Sequence, residues 1–134
     1  MWENETALKI KQLLVLAALV GASIAAYGKG NALAYTGIAF YTVCAVAVIF
    51  NHRKTSLLLW SAVLVHAVLI GYLVWDWQIN GLIPCSHCTA AAGFALLAAV
   101  AWWKTAAAIL PALLMLVVWY GWSIVFPPLG GCGC

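Results

Sequence analysis

The stretch LLLWSAVLVHAVLIGYLVW, residues 57–75, contains no Asp, Glu, Lys or Arg. A helix crossing the hydrocarbon layer needs ~20 predominantly apolar residues, with ~17–25 tolerated, and this segment fits. Three more stretches read the same way: Ala32 to Phe50, Leu82 to Trp103 and Thr105 to Phe126. A fifth, from Gln12 to Tyr27, is shorter. Leu8 and Ile10 extend it if the long stems of Lys9 and Lys11 carry their charges out to the interface. Basic residues precede this first stretch, but Tyr27-Gly28-Lys29 is a poor small-residue cleavage site, so it is expected to remain as a helix. Only 7% of the 134 residues are charged, against ~25% in a soluble domain, so the class is membrane-embedded.

The expected fold is therefore all-α: one domain, an integral membrane bundle of five transmembrane helices at about residues 8–27, 32–50, 57–75, 82–103 and 105–126, with a tail over 127–134. Short connections at Gly28 to Asn31, Asn51 to Ser56 and Lys104 predict antiparallel neighbours. Small residues (Ala17, Ala18, Gly21, Ala22, Ala25 and Ala26, then Ala90 to Gly93, Ala95, Ala98 and Ala99) predict close helix approach. Pro111, in the first turns of the last helix, is expected to bend it. The basic residues are too few and scattered for nucleic acid.

Charge sets the expected orientation. Lys9, Lys11, Arg53, Lys54 and Lys104 fall on one side of such a bundle and Lys29 on the other, which predicts N-in/C-out in the inner (plasma) membrane. Trp2, Trp60, Trp102 and Trp103 would then ring the inner interface, and Trp75, Trp77 and Trp122 the outer one. The loop from Asp76 to Pro84 and the tail would both be extracytoplasmic, in the compartment where disulfides persist.

Two thiol pairs lie on that side: Cys85-Ser86-His87-Cys88 and Cys132-Gly133-Cys134. Pro84 suits a first helical turn, which predicts a helix start near Ile83 to Cys85 with both cysteines on one side of it. Unpaired N–H groups and the positive end of the helix dipole favour a thiolate there, and a protonated His87 adds to this. Gly130, Gly131 and Gly133 free the tail backbone, and Pro127 and Pro128 end the last helix. A disulfide between Cys132 and Cys134 closes a small strained ring, and the tail can swing toward Cys85, so thiolate exchange between the pairs is the expected chemistry. Two other readings stay open: a structural bridge, and a soft metal (Hg, Cu or Zn) held by Cys85, His87, Cys88, Cys132 and Cys134.

Other candidates stand apart. Cys44, ~6 residues and hence ~9 Å from its helix end, reads as apolar packing. His66, in the middle of its helix, is an ionisable group at depth, with a quinone or proton role set against a plain interhelical hydrogen bond. It is expected to lie far from both cysteine pairs along the membrane normal. Asp76 at the outer mouth is a candidate proton acceptor.

The motif GLIPCSHC (81–88), followed by a helical hairpin and a second thiol pair, resembles the DsbB-type disulfide-bond formation proteins and the related vitamin K epoxide reductases, over about residues 57–134. The resemblance implies that Cys88 is the quinone-side thiol and Cys85 its relay partner. Cys132 and Cys134 would exchange with an extracytoplasmic thioredoxin-fold thiol protein. The chain departs from that pattern: TAAAG (89–93) follows where DsbB-type proteins usually carry an arginine, and the second pair follows the last helix instead of preceding it. The alternative metal reading resembles the small mercuric-ion transporters.

The topology is tested by labelling. A membrane-impermeant maleimide, applied to intact cells after mild reduction, is expected to label Cys85 or Cys88 and also Cys132 or Cys134, and to spare Cys44. Labelling of the tail alone would put the two pairs on opposite faces.

Overall fold

The computed structural model describes residues 2–30, 32–81 and 86–125. Five α-helices follow in order: α1 (Trp2–Lys29), α2 (Ala32–Ile49), α3 (Thr55–Asn80), α4 (Ser86–Trp103) and α5 (Ile109–Val125), with a 3-10 turn at Thr105–Ala108. Among the described residues there is no strand. Among the described residues three helices are long and apolar enough to cross a membrane: Glu5–Gly28, Ala32–Ile49 and Thr55–Asn80.

Alanines dominate the buried faces: Ala18, Ala22 and Ala26 of α1 and Ala91, Ala95, Ala98 and Ala99 of α4 are buried beside a few larger groups such as Leu19, Tyr41 and Leu59, while Leu13, Leu64, Val68, Leu113 and Leu116 point outward. Small residues at helix contacts and many large apolar groups outside suit contact with lipid, where helices gain by close approach and not by hiding hydrocarbon. An exterior this apolar is foreign to a water-soluble monomer.

The most extensive packing is between α1 and α4; α4 also lies along α3, and α1 along α2. A Cβ on Gly21 would sit 2.8 Å from the Phe94 ring, and one on Gly28 2.8 Å from His87. Gly21 and Gly28 are one heptad apart on α1, as His87 and Phe94 are on α4, so the two helices run antiparallel with two matched notches. Further down the same seam the Lys11 ammonium stands over the Trp102 ring at 4.4 Å.

Helix ends are closed by local chemistry. Asn51 adopts φ 50° beyond α2, with His52 N–H donating to Ala47 O at 2.9 Å and Asn51 N–H to Val48 O at 3.1 Å. This is a Schellman cap with asparagine in the left-handed position. Thr55, fully buried, donates from its hydroxyl to Ala47 O or His52 O, and Gln12 of α1 donates to Val48 O at 2.8 Å. The carbonyls that α2 leaves unpaired at its end are thus answered from α1 and α3.

Helix α3 runs further than the apolar stretch. Asp76 to Asn80 form its last turn, with Asn80 donating to Asp76 at 2.5 Å. Gly81, at φ 71°, ends it through an N–H bond to Trp77 O at 2.9 Å. The segment expected as an open loop from Asp76 is therefore helical up to the glycine, because helix formation needs backbone bonds and a cap, not hydrocarbon. The expected helix start near Ile83 to Cys85 lies outside the described residues. Pro111 is the third residue of α5, after the 3-10 turn, so the N–H it lacks is one that needs no partner in the helix.

Gly21 and Gly71 provide an internal comparison. Gly21→Leu drives a side chain into Phe94, whereas a Cβ at Gly71 meets nothing within 4 Å. Thermal unfolding in detergent is expected to show Gly21→Leu destabilised by about 1–3 kcal/mol. Gly71→Ala is expected to be neutral or stabilised by up to about 1 kcal/mol through helix propensity. Equal effects would mean that the α1–α4 seam is not close-packed.

Candidate functional site

The antiparallel order gives the bundle two chemically distinct ends. Lys9, Lys11, Arg53, Lys54 and Lys104 gather at one end, where Gln12 meets Val48 and Lys11 meets Trp102. At the opposite end, Tyr27 of α1 faces Tyr35 of α2 with ring centroids 6.5 Å apart. There the first turn of α4 brings His87 against Gly28.

Between that end and the bundle's middle lies a cavity of about 280 Å³, bounded by Ala26 of α1, Ala34, Gly37 and Tyr41 of α2, Ala62 and His66 of α3, and His87, Cys88 and Ala91 of α4. Its volume falls just below the usual range for ligand sites (~300–1,000 Å³) and suits one ring system better than a large molecule. Leu33, Thr36 and Val65 also line it and are exposed, which marks an opening between α2 and α3. A wider groove of about 410 Å³ between α1 and α2, from Leu16 to Ala45, is almost wholly apolar and shares Tyr41.

The cavity exists because its walls are small. Ala34, Gly37, Ala62 and Ala91 leave room where larger side chains would have interlocked. His66 and Cys88, expected to stand far apart along the membrane normal, both border this one compartment.

Within it, His66 and Tyr41 form the principal polar pair. Nδ1 of His66 lies 2.7 Å from the carbonyl oxygen of Ala62, one helical turn back. A carbonyl only accepts, so in the neutral ring Nδ1 carries the hydrogen and Nε2 is the acceptor. The Tyr41 hydroxyl then donates to Nε2, and the two rings stack with centroids 5.6 Å apart at 17°. Tyr41 is 2% exposed. Among the described residues no buried side-chain nitrogen or oxygen lacks a partner, so the pair is fully satisfied without a ligand.

Tyr41 was not singled out by sequence reasoning, although a signal was present. It sits at the middle of α2 as His66 sits near the middle of α3, and in an antiparallel hairpin mid-span polar groups meet.

The remaining candidates divide. Cys88 is half-buried on the cavity wall and His87 is exposed beside it. Cys44 is fully buried in the apolar core with Tyr41, Val48 and Leu59. Asp76 is bonded to Asn80 on α3 and does not line the cavity. Cys85, Cys132 and Cys134 lie outside the described residues, and among the described ones no three His, Cys, Asp or Glu side chains are grouped as a metal site.

Helices α4 and α5 turn back on each other at Lys104. The Met115 side chain lies 3.0 Å from where a Cβ on Gly93 would be, and these residues are equidistant from Lys104. By continuation of that register, Cys88 is level with Tyr120, a few residues before the tail.

The fold and its exterior define a helical bundle with the character of a membrane protein. No family model matches the chain, and no curated protein or solved structure is significantly similar to it.

The strength of the polar pair is measurable. A double-mutant cycle of Tyr41→Phe and His66→Leu, read by thermal or denaturant unfolding in detergent, is expected to give a coupling of about 1 kcal/mol. Strict additivity would mean that the two side chains do not interact.

Proposed function

We propose that the chain is a membrane thiol-disulfide oxidoreductase of the DsbB/vitamin K epoxide reductase kind. It would relay electrons between an extracytoplasmic dithiol partner and a membrane quinone. The observation that carries this reading is that Cys88 borders the same apolar cavity as the Tyr41–His66 pair. A redox thiol next to a ring-sized, lipid-accessible space is what electron exchange with a lipophilic carrier requires.

The topology of this reading is five spans with the basic end in the cytoplasm. The support is the gathering of five of the six Lys and Arg residues at one end of the bundle, opposite Cys88.

Each step is assigned to this chain's thiols. A partner dithiol, of the thioredoxin-fold class, attacks the Cys132–Cys134 disulfide. The reduced tail attacks Cys85–Cys88 by thiolate exchange, and the α4–α5 hairpin favours that encounter. Cys88, on the cavity wall, then passes electrons inward. A quinone fits the residues present: apolar walls grip a ring, and Tyr41 and His66 offer polar contacts at one side. When bound it would supply the two-electron sink for closure of the Cys85–Cys88 disulfide. The protein's own contribution is to hold the ring beside Cys88, exclude water and keep the Tyr41–His66 pair poised.

The test uses the purified full chain, a reduced thioredoxin-like protein and a soluble quinone. Quinone reduction is expected, and Cys88→Ser is expected to abolish it. Absence of reduction, or unchanged turnover in Cys88→Ser, removes the reading. Metal content after anaerobic purification discriminates the heavy-metal alternative: stoichiometric zinc, copper or mercury would favour it.

A further inference from the structure

We propose that Tyr41 and His66 together hold a proton for an oxygen atom of the ligand in the cavity, with Tyr41 touching the ligand and His66 acting behind it as the positioning residue. The inference rests on the redox reading above and extends it to the proton side of the reaction.

The hydrogen-bond inventory carries the argument. With Nδ1–H committed to Ala62 O, the neutral imidazole takes the Tyr41 hydrogen at Nε2. The tyrosine oxygen can then offer only lone pairs to the cavity, which suits a hydroxyl on the ligand. When His66 carries a second proton, Nε2–H donates to the tyrosine oxygen and the Tyr41 hydrogen is released toward the cavity, which suits a carbonyl. The pair therefore has two states, each complementary to one redox form of a quinone ring. The other titratable groups on the cavity wall are His87 and Cys88 of α4; the α1 residue there, Ala26, carries none.

The proton balance closes. Oxidation of the Cys85 and Cys88 thiols to a disulfide releases two electrons and two protons. As the electrons leave, the Tyr41 O–H bond breaks toward the ligand oxygen and the Nε2–H of His66 moves to the tyrosine oxygen. His66 is left neutral with its hydrogen on Nδ1. One released proton restores His66 and the other completes the hydroquinone, so the exchange is dithiol plus quinone to disulfide plus hydroquinone. The arrangement supplies a general acid where bulk water has little access.

Infrared spectroscopy reads this contact directly. The probe is 2-methyl-1,4-naphthoquinone, labelled with ¹³C at its carbonyls and bound to the full chain in detergent. Across a pH series carried down to where His66 holds its second proton, one carbonyl stretch is expected to move to lower wavenumber than in protein-free micelles. Tyr41→Phe is expected to lose the displaced band and to bind the probe about tenfold more weakly, the loss of one hydrogen bond. His66→Gln is expected to keep the band, because the amide N–H can hold the tyrosine oxygen. Dithiol-driven turnover in that variant should nonetheless fall by about 100-fold, as the amide has no proton to pass on. A merely structural histidine would move binding and turnover together, and that outcome overturns the proposal. So does a displaced band that survives in Tyr41→Phe, or its absence in the wild type. A displaced band in the wild type without dithiol-driven reduction supports the ligand contact and overturns the redox reading instead.

Discussion

The close approach of α1 and α4 is the constraint on which the rest depends. Two glycine notches, Gly21 under Phe94 and Gly28 under His87, allow the helices to meet over alanine faces. In hydrocarbon there is no gain from merely hiding apolar surface, so van der Waals contact at short range must hold the pair. That contact fixes the height and rotation of α4. Its first turn, with His87 and Cys88, is consequently held at the end of α1, where His87 lies against Gly28.

The cavity follows from the same economy of side chains. Small residues that let helices approach also leave space where three or four helices cannot all touch at once. Ala34, Gly37, Ala62 and Ala91 are too small to fill the gap between α2, α3 and α4, and the Tyr41–His66 bond spans only part of it. Polar groups at such depth are costly unless paired, and this pair is self-satisfied, so it persists with or without a ligand. An apolar chamber with a thiol on one wall and a hydrogen-bonded Tyr41–His66 pair on another is what the proposed electron exchange with a lipophilic ring would need.

Much of this was legible in the residues. The apolar stretches foretold the five helices, three of them long and apolar enough to cross a membrane, the lysine and arginine positions divided the bundle into two ends, and alanine-rich faces signalled close packing. Helix limits were less legible. The reading from hydrocarbon ended α3 near Trp75, whereas the backbone continues to Gly81, where a left-handed residue provides the stop. Glycine at that position was the available sign.

By itself the sequence determined the helical class, the order of elements and the list of chemistry-bearing side chains, since each depends on local composition along one segment. Only the tertiary structure decided which of those side chains share a compartment. His66 and Cys88 are separated along the chain by more than a helix turnaround, and their apparent axial distance argued against any relation. That both line one compartment depends on a void, and a void is a property of how several helices fail to interlock. No single segment carries that information. Tyr41 entered the site for the same reason: its partner is on another helix, and its role is visible only once that helix is packed beside it.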